Sequence, residues 1–310
     1  MRHFCLSCQT AGADHRHGYH AECAIKLFGT ETPPTVRFST PDILTEAQKM
    51  IGKMSVSGVQ PKLSVSHDRK ACQLIVIEKG GEYILKPQTE RFPMLPENEN
   101  LCMCIASRCG TDVPAHGLIH LADERFAYIV KRFDRRDDGF KLQQEDFQQL
   151  LETDDKYEGS YERIANIIRK HSCDPAADLL KLYERAILFF VVGNGDAHLK
   201  NFSLIQSLPA GYQLSPAYDI VSSRLALPEE REEMCLSLQG KRNRLSGRDF
   251  LRLSQRFGLT EEQSRRVSDR LKVFQPEIEE MIRDSFLSEQ LKSRFLEIFR
   301  ERMKRIIAEN

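Results

Sequence analysis

The sequence has no apolar run approaching the roughly 18 residues that a membrane-crossing helix needs. Its opening, Met-Arg-His-Phe-Cys, is followed by no apolar stretch, which argues against a cleaved secretory leader. Neither sign of charge is in excess: Lys plus Arg and Asp plus Glu both number 45. A non-specific nucleic-acid coat needs a clear basic surplus, so that role is disfavoured, although basic clusters such as Lys241-Arg242-Asn243-Arg244 remain. There is no internal repeat and no low-complexity segment. The nine cysteines are an odd number, and Cys102, Cys104, Cys173 and Cys235 stand in apolar or structured surroundings. That usage suits a reducing cytoplasm and not a disulfide framework. What is left, at 310 residues with 41% hydrophobic and 29% charged, is an ordinary globular chain of about two domains. The expectation is a cytoplasmic protein with no membrane partner and no direct nucleic-acid partner.

The pattern changes along the chain. The first 50 residues read as short elements broken by Gly29, Pro33, Pro34 and Pro41. From Met54 to Val130 the sequence is β-rich: Lys62–His67 alternates, and Cys72–Glu78 and Glu82–Lys86 flank Lys79-Gly80-Gly81, a hairpin turn signal. Pro96 with its acidic neighbours opens a helix to about Cys109, and strands follow near Gly117–Leu121 and Arg125–Val130. Beyond Lys131 the spacing is helical over Glu145–Leu151, Tyr161–Lys170 and Pro175–Val192, the last with Leu179, Leu180, Tyr183, Ile187 and Val191 on one stripe. A small β patch (Phe202–Ile205, Tyr212–Leu214) comes next, and from Ser246 the chain is nearly all helical. A β-rich lobe over 1–131 with one long helix, then a helical lobe over 132–310, is the plan of a two-lobed, protein-kinase-like α+β fold, with a hinge expected in Lys131–Arg136.

The chemistry concentrates in Gly193-Asn194-Gly195-Asp196-Ala197-His198-Leu199-Lys200-Asn201-Phe202, where the apolar periodicity of the preceding helix stops. Asp196 and Asn201 stand five positions apart, the interval that protein kinases use in their catalytic loop. There the Asp takes the proton of the attacking hydroxyl and the Asn holds a Mg²⁺. Eighteen residues on, Tyr218-Asp219-Ile220 offers the second hard oxygen ligand for Mg²⁺. A plain polar turn is the bland reading of Asn-Gly-Asp, and the second carboxylate at the right distance weighs against it. Lys86 closes the strand Glu-Tyr-Ile-Leu-Lys like the lysine that kinases place on the ATP phosphates; its carboxylate partner is expected to be Glu99, then Glu97. The bland alternative is a strand-end lysine reaching water. Ser55-Val56-Ser57-Gly58-Val59-Gln60-Pro61-Lys62 has one glycine, so it matches neither glycine-rich nucleotide motif. It reads equally as a hairpin connection or as a phosphate cradle of successive N–H groups. A phosphate on Ser55 or Ser57 would add about −1.5 to −2 charges where ATP must sit.

Cys5-x2-Cys8, eleven residues, then His20-x2-Cys23 gives four soft or borderline ligands with zinc-ribbon-like internal spacings. The short gap and the nearby His3, His15 and His17 leave two readings open, a structural zinc or a packed cluster of free thiols.

Together, S-V-S-G-V-Q-P-K-L, Y-I-L-K-P, N-E-N-L-C-M, V-K-R-F-D-R, L-Q-Q-E-D-F, G-N-G-D-A-H-L-K-N-F and Y-D-I-V-S resemble the HipA family of bacterial toxin Ser/Thr kinases. These motifs run from about Ser55 to Ser223. The short Cys/His start most resembles HipT, the toxin of three-part HipBST toxin–antitoxin systems, in which a small separate protein supplies a missing N-terminal piece. The resemblance implies ATP and Mg²⁺ as cofactors, with Asp196 as base, His198 and Lys200 on phosphate, and Asn201 and Asp219 on Mg²⁺. It implies nucleotide contacts from Ser57, Gly58, Val59, Gln60, Lys62, Lys86, Glu99, Lys131, Phe133 and Tyr218, the hinge backbone of Lys131 and Phe133 facing adenine. Family members often carry an acid where Lys131 stands, so a side-chain contact there is not carried over. Autophosphorylation on Ser55 and Ser57 is implied, as are an aminoacyl-tRNA synthetase substrate, a HipB-like DNA-binding antitoxin and a HipS-like small partner. The competing readings are a small-molecule kinase on the same fold and a non-catalytic binding scaffold; a scaffold would have no need of Lys86, Asp196, Asn201 and Asp219 together.

Overall fold

The structure, a computed structural model, describes residues 3–14, 17–51, 60–78, 80–136, 138–207, 209 and 211–307, without the side chains of 47–51. The chain divides into two units. One comprises Met1–Cys104, Pro114–Phe133 and Asp284–Leu287, the other Ile105–Val113, Asp134–Arg283 and Ser288–Asn310.

In the first unit, α1 (Ala21–Phe28) buries Ala24, Leu27 and Phe28 and ends at Gly29, whose φ of 74° is left-handed. α2 (Thr40–Ile51) carries Pro41 in its first turn, where a missing N–H costs nothing. The proline expected to break this region therefore starts a helix. The strands are β1 (Leu63–Asp68), β2 (Gln73–Val76) and β3 (Tyr83–Pro87), then after α3 (Leu95–Arg108) come β4 (His116–His120) and β5 (Phe126–Lys131). They form one antiparallel sheet in the order β2-β1-β3-β5-β4. Leu63 and Val65 of β1, Tyr83 and Leu85 of β3 and Ile129 of β5 share a core with Leu27 and Phe28 of α1.

The sheet order corrects the expected hairpin at Lys79-Gly80-Gly81. β1 lies between β2 and β3, with Val65 opposite Val76 on one side and Tyr83 on the other. The true hairpin joins β1 to β2, and Asp68 makes its turn by accepting from the N–H groups of Lys70 (3.0 Å) and Ala71 (3.1 Å). Gly81 instead passes beside β1: a Cβ there would stand 2.3 Å from Ser64 Oγ and 2.8 Å from the Val65 carbonyl oxygen. Gly81→Ala is expected to destabilise the protein by about 1–3 kcal/mol, the cost of overpacking. At Gly80 nothing lies within 4 Å of a built Cβ and only its φ of 86° resists substitution, so Gly80→Ala should cost about 1–2 kcal/mol. Urea unfolding midpoints of the two variants, compared with and without Ser64→Ala, check this: the second change should recover at most part of the Gly81→Ala loss, because the Val65 backbone still crowds the added carbon, and none of the Gly80→Ala loss.

The second unit contains β6 (Gln144–Asp146), α4 (Phe147–Leu150), α5 (Tyr161–His171), α6 (Pro175–Val192), β7 (Ser203–Ser207), β8 (Gly211–Leu214), α7 (Ser223–Ala226), α8 (Gly247–Phe257), α9 (Glu261–Arg283) and α10 (Glu289–Ile307). The helix expected over Glu145–Leu151 is shorter. Glu145 pairs with Leu204 in a β6-β7-β8 sheet, and helix begins only at Phe147, with Asp146 capping the Gln149 N–H. Long-range pairing overrides helical propensity here. α6 is the axis of this unit. Asp174 caps it by accepting from Ala177 N–H at 3.1 Å, Pro175 opens it, and α5, α8 and α10 pack around its buried length. Among the described residues no helix is long and apolar enough to cross a membrane. All nine cysteines are free thiols.

Candidate active site

The catalytic-looking loop is built where α6 stops. Gly193 takes φ 78°, and Asn194 N–H donates to the Phe189 carbonyl at 2.8 Å, closing the helix in a left-handed cap. Ser223 then clasps the turn. Its hydroxyl accepts from Gly195 N–H (2.8 Å) and donates to the Gly193 carbonyl (3.3 Å). Downstream, exposed and buried side chains interleave: Asp196 and Lys200 face solvent, whereas Ala197, Leu199 and Asn201 are buried and pin the backbone. Leu199 N–H donates to the Lys156 carbonyl at 3.1 Å and begins a single 3-10 turn that ends at Asn201.

This turn joins the two motifs. Asn201 Oδ1 accepts from His198 N–H at 3.0 Å, and Asn201 Nδ2 donates to Asp219 Oδ2 at 3.4 Å. Asp219 has φ 55°, a strained setting for a non-glycine residue that the surrounding contacts must hold. The Tyr218 hydroxyl donates to the Lys200 carbonyl at 2.9 Å and lies 3.2 Å from Ser203 Oγ. The donor set fits Mg²⁺: Asp219 offers carboxylate oxygens, and Asn201 Oδ1 keeps a second lone pair beyond the one used by His198. Both are hard ligands of the kind this cation prefers, and they are held beside each other.

The loop also sets the charge states. Asp196 is an exposed residue, yet desolvation of its carboxylate raises its pKa; Lys156 and Tyr157 oppose the rise, and the nearby carboxylates of Asp219 and Glu230 add to it. His198 is pushed down to about 4, by desolvation first and then by the charge of Lys156, so at neutral pH it is an uncharged imidazole. Its ring lies edge-on to Tyr157 with centroids 5.6 Å apart.

In the first unit, Lys86 Nζ stands 2.7 Å from Glu99 Oε1, the lysine 8% and the glutamate 0% exposed. The ammonium also lies 5.6 Å from the Tyr128 ring centroid, across the β3–β5 pair. Glu97, the second choice of partner, is buried without a hydrogen-bond partner for Oε2 among the described residues, and burial raises it to about 7. The folded state thus holds a proton on Glu97 between roughly pH 4.5 and 7 that the unfolded chain has lost, and stability falls as pH rises through this window. Glu97→Gln is expected to be more stable than the parent by about 2–4 kcal/mol above pH 7, with no difference below about pH 4. Urea unfolding at pH 4 and pH 8 checks the sign.

The remaining nucleotide candidates are placed unevenly. Ser55, Ser57, Gly58 and Val59 lie outside the described residues. The described elements on either side of them are the helix α2 and the strand β1. Gln60 is half-buried and Lys62 exposed. Lys131 ends β5, and its N–H donates to the Ala115 carbonyl at 2.8 Å, which commits that donor to the protein. Phe133 is the last residue of its segment in the first unit. Cys5, Cys8, His20 and Cys23 come together, their ligand atoms all within 4.8 Å of one another.

Sequence reading missed four contributors: Lys156 and Tyr157, which flank the loop, and Ser223 and Ser203, which brace it. Tyr218 was read as a pocket wall and is also a brace. The only sequence signal for Ser223 is its nearness to Asp219. Nothing in Asp154-Asp155-Lys156-Tyr157-Glu158 marks it as a neighbour of Asp196.

Comparison with known proteins bears on this geometry. A Haemophilus influenzae protein provisionally named a kinase is 36% identical over 226 residues, 66% of this chain and 62% of its own length. The Ser/Thr-protein kinase toxin HipA of Shewanella oneidensis is 29% identical over 192 residues, 55% of this chain and 43% of its own. The chain therefore spans only part of the length of these relatives. In three dimensions it resembles HipA of Shewanella oneidensis MR-1, solved with HipB and operator DNA, at a TM-score of 0.69 and 23% identity over 82% of this chain and 66% of that one. It also resembles the Helicobacter pylori proinflammatory kinase CtkA, at a TM-score of 0.55 and 15% identity over 83% and 96%. These likenesses show the kinase-like mixed fold. Residues 54–278 match the HipA-like C-terminal domain over most of the chain, including Lys86, Asp196, Asn201 and Asp219, and the chain belongs to that family.

Proposed function

We propose that this chain is an ATP- and Mg²⁺-dependent Ser/Thr protein kinase acting as the toxin of a HipBST-like toxin–antitoxin system. The observation that carries the reading is the single hydrogen-bonded assembly of the second unit, in which Asn201 bonds to Asp219 while Asp196 stands exposed on the same loop. Asp196 accepts the proton of the substrate hydroxyl at its carboxylate, and a pKa raised by desolvation makes it a better proton acceptor. Asn201 and Asp219 hold Mg²⁺, which when bound neutralises charge on the β- and γ-phosphates. Lys200 presents an exposed ammonium, and His198 a neutral imidazole, as phosphate contacts. Lys86, fixed by Glu99, binds phosphate from the first unit. Residues 1–131 thus contribute Lys86 to phosphate binding, and 132–310 contribute proton transfer, metal binding and the phosphate contacts of His198 and Lys200.

By its family, the chain takes an aminoacyl-tRNA synthetase as substrate, with a HipB-like antitoxin and a HipS-like small protein as partners. Ser55 and Ser57 are its autophosphorylation sites, and their added charge opposes ATP binding. The test is intact-mass and peptide mass spectrometry after incubation with ATP and Mg²⁺, beside an Asp196→Asn control. Phosphate on Ser55 or Ser57 in the parent alone is the expected result. No phosphate in either sample, with no thermal shift on adding nucleotide, overturns the kinase reading.

A further inference from the structure

Two residues at a tight turn and two at a helix start bring the N-terminal cysteines and His20 together. Phe4 bridges to Ala11, Cys5 N–H donates to the Thr10 carbonyl at 2.9 Å and Gln9 N–H to the Cys5 carbonyl at 2.9 Å. Gln9 takes φ 59°, which folds the Cys-x2-Cys segment back on itself. On the other side, His20 is the N-cap of α1, and Cys23 stands one helical turn further on.

The contacts inside the cluster have metal-site character. His20 Nε2 lies 3.1 Å from the Ala11 carbonyl, a partner that can only accept, so the ring proton sits there and Nδ1 keeps its lone pair. Nδ1 faces Cys8 Sγ at 3.4 Å and Cys23 Sγ at 3.9 Å. Around a tetrahedral zinc with Zn–N of about 2.05 Å and Zn–S of about 2.3 Å, N and S ligands stand roughly 3.5 Å apart and S ligands roughly 3.8 Å. The observed separations bracket the first figure. His20 backbone N–H points at Cys5 Sγ at 3.4 Å, as amides do toward metal-bound thiolates. A disulfide could join only two of the three sulfurs and would leave the imidazole facing the third.

We propose that Cys5, Cys8, His20 and Cys23 hold a structural Zn²⁺ that fastens the N-terminal turn onto α3 and β4 of the first unit. Three sulfurs and one nitrogen in a compact closed set select zinc over hard cations. The two residues enclosed by Cys5 and Cys8 make the attachment. The Leu6 carbonyl accepts from Leu118 N–H (2.8 Å) and Asn100 Nδ2 (3.3 Å). Ser7 Oγ donates to the His116 carbonyl at 2.7 Å, and the Ser7 carbonyl accepts from the Cys104 thiol at 3.0 Å. Gly117 allows this approach: a Cβ there would meet the Leu6 carbonyl oxygen at 3.2 Å. Asn100 follows Glu99 directly, so the ion braces the stretch of α3 that positions Lys86. The proposal does not depend on the kinase reading.

The experiment is metal analysis of the full chain, expressed in zinc-supplemented medium and freed of any histidine tag. One zinc per chain is expected, released on titrating the thiols with a mercurial. Cys8→Ser and Cys23→Ser should each lose it and melt more than about 5 °C lower, while Cys173→Ser, at an exposed cysteine outside the cluster, retains both metal and stability. Because the cluster variants can fail to fold, the parent chain is also loaded with Co²⁺, which should show thiolate charge-transfer and tetrahedral d–d bands. Iron in place of zinc, no metal in the parent with no tetrahedral Co²⁺ spectrum, or full zinc in Cys8→Ser would each overturn the proposal.

Discussion

Asp196→Asn is expected to lower phosphoryl transfer by about 10²–10⁴-fold, the usual contribution of a positioned general base, while nucleotide affinity stays within a few-fold. Asp196 is an exposed residue, and the amide keeps an oxygen that can accept from Tyr157, so the fold should survive. Stability should in fact move the other way. With its folded pKa raised above the unfolded value, Asp196 binds a proton better in the native chain, so stability falls as pH rises through the interval between the two values. Above that interval the parent carries the whole cost and the Asn variant none of it. The variant should melt at or above the parent temperature at pH 7, and the two should converge in acid. The same shift moves the acid limb of the parent's rate profile upward from where an unperturbed aspartate would put it. Stopped-time phosphorylation assays across pH, paired with calorimetry, separate the two effects. A variant that loses stability and activity in parallel would mean that Asp196 is a structural residue.

Much of this site was legible because its chemistry is local. The stripe of α6, the cap at Gly193 and the interval from Asp196 to Asn201 lie within one continuous stretch, and their geometry follows from short-range rules. The partnership of Lys86 with Glu99 was also accessible, since a strand-end lysine and the first turns of the next helix are separated by only thirteen residues. What escaped was long-range. Glu145 reads as helical until Leu204, far along the chain, supplies a strand partner. Gly80-Gly81 looks like a hairpin turn until β1 takes the place between its flanking strands, and Gly81 is then needed for clearance from Ser64 and the Val65 backbone. The Asp68 turn that makes the real hairpin carries no glycine and was passed over. Ser223, Ser203 and Lys156 act through contacts with the backbone or with distant charge, which leave no spacing to read. The Cys/His start is the intermediate case: its residues were visible, but only the turn at Gln9 and the cap of α1 bring them within reach of one another.

The second large effect is expected at the buried ion pair of the first unit. Lys86→Met removes the ammonium that stands 2.7 Å from a carboxylate with no solvent exposure. Breaking such a pair from one side typically costs about 3–5 kcal/mol, because the other charge stays in a medium that solvates it poorly. Replacing both partners with apolar residues of similar size is often neutral or stabilising, so Lys86→Met with Glu99→Leu should regain most of that loss. Binding should not follow stability. If Lys86 contacts phosphate, the double variant remains at least about tenfold weaker for ATP, equivalent to ~1.4 kcal/mol, despite its recovered fold. Glu99→Gln, which keeps a hydrogen-bond acceptor beside the lysine, should sit between parent and Lys86→Met in both measurements. A double-mutant cycle in urea, run beside nucleotide titrations, gives the coupling energy and the binding loss from the same four proteins. Recovery of stability and of ATP affinity together would show that the pair serves only the fold. Recovery of stability alone would show that the sheet and α3 hold Lys86 in place for a ligand.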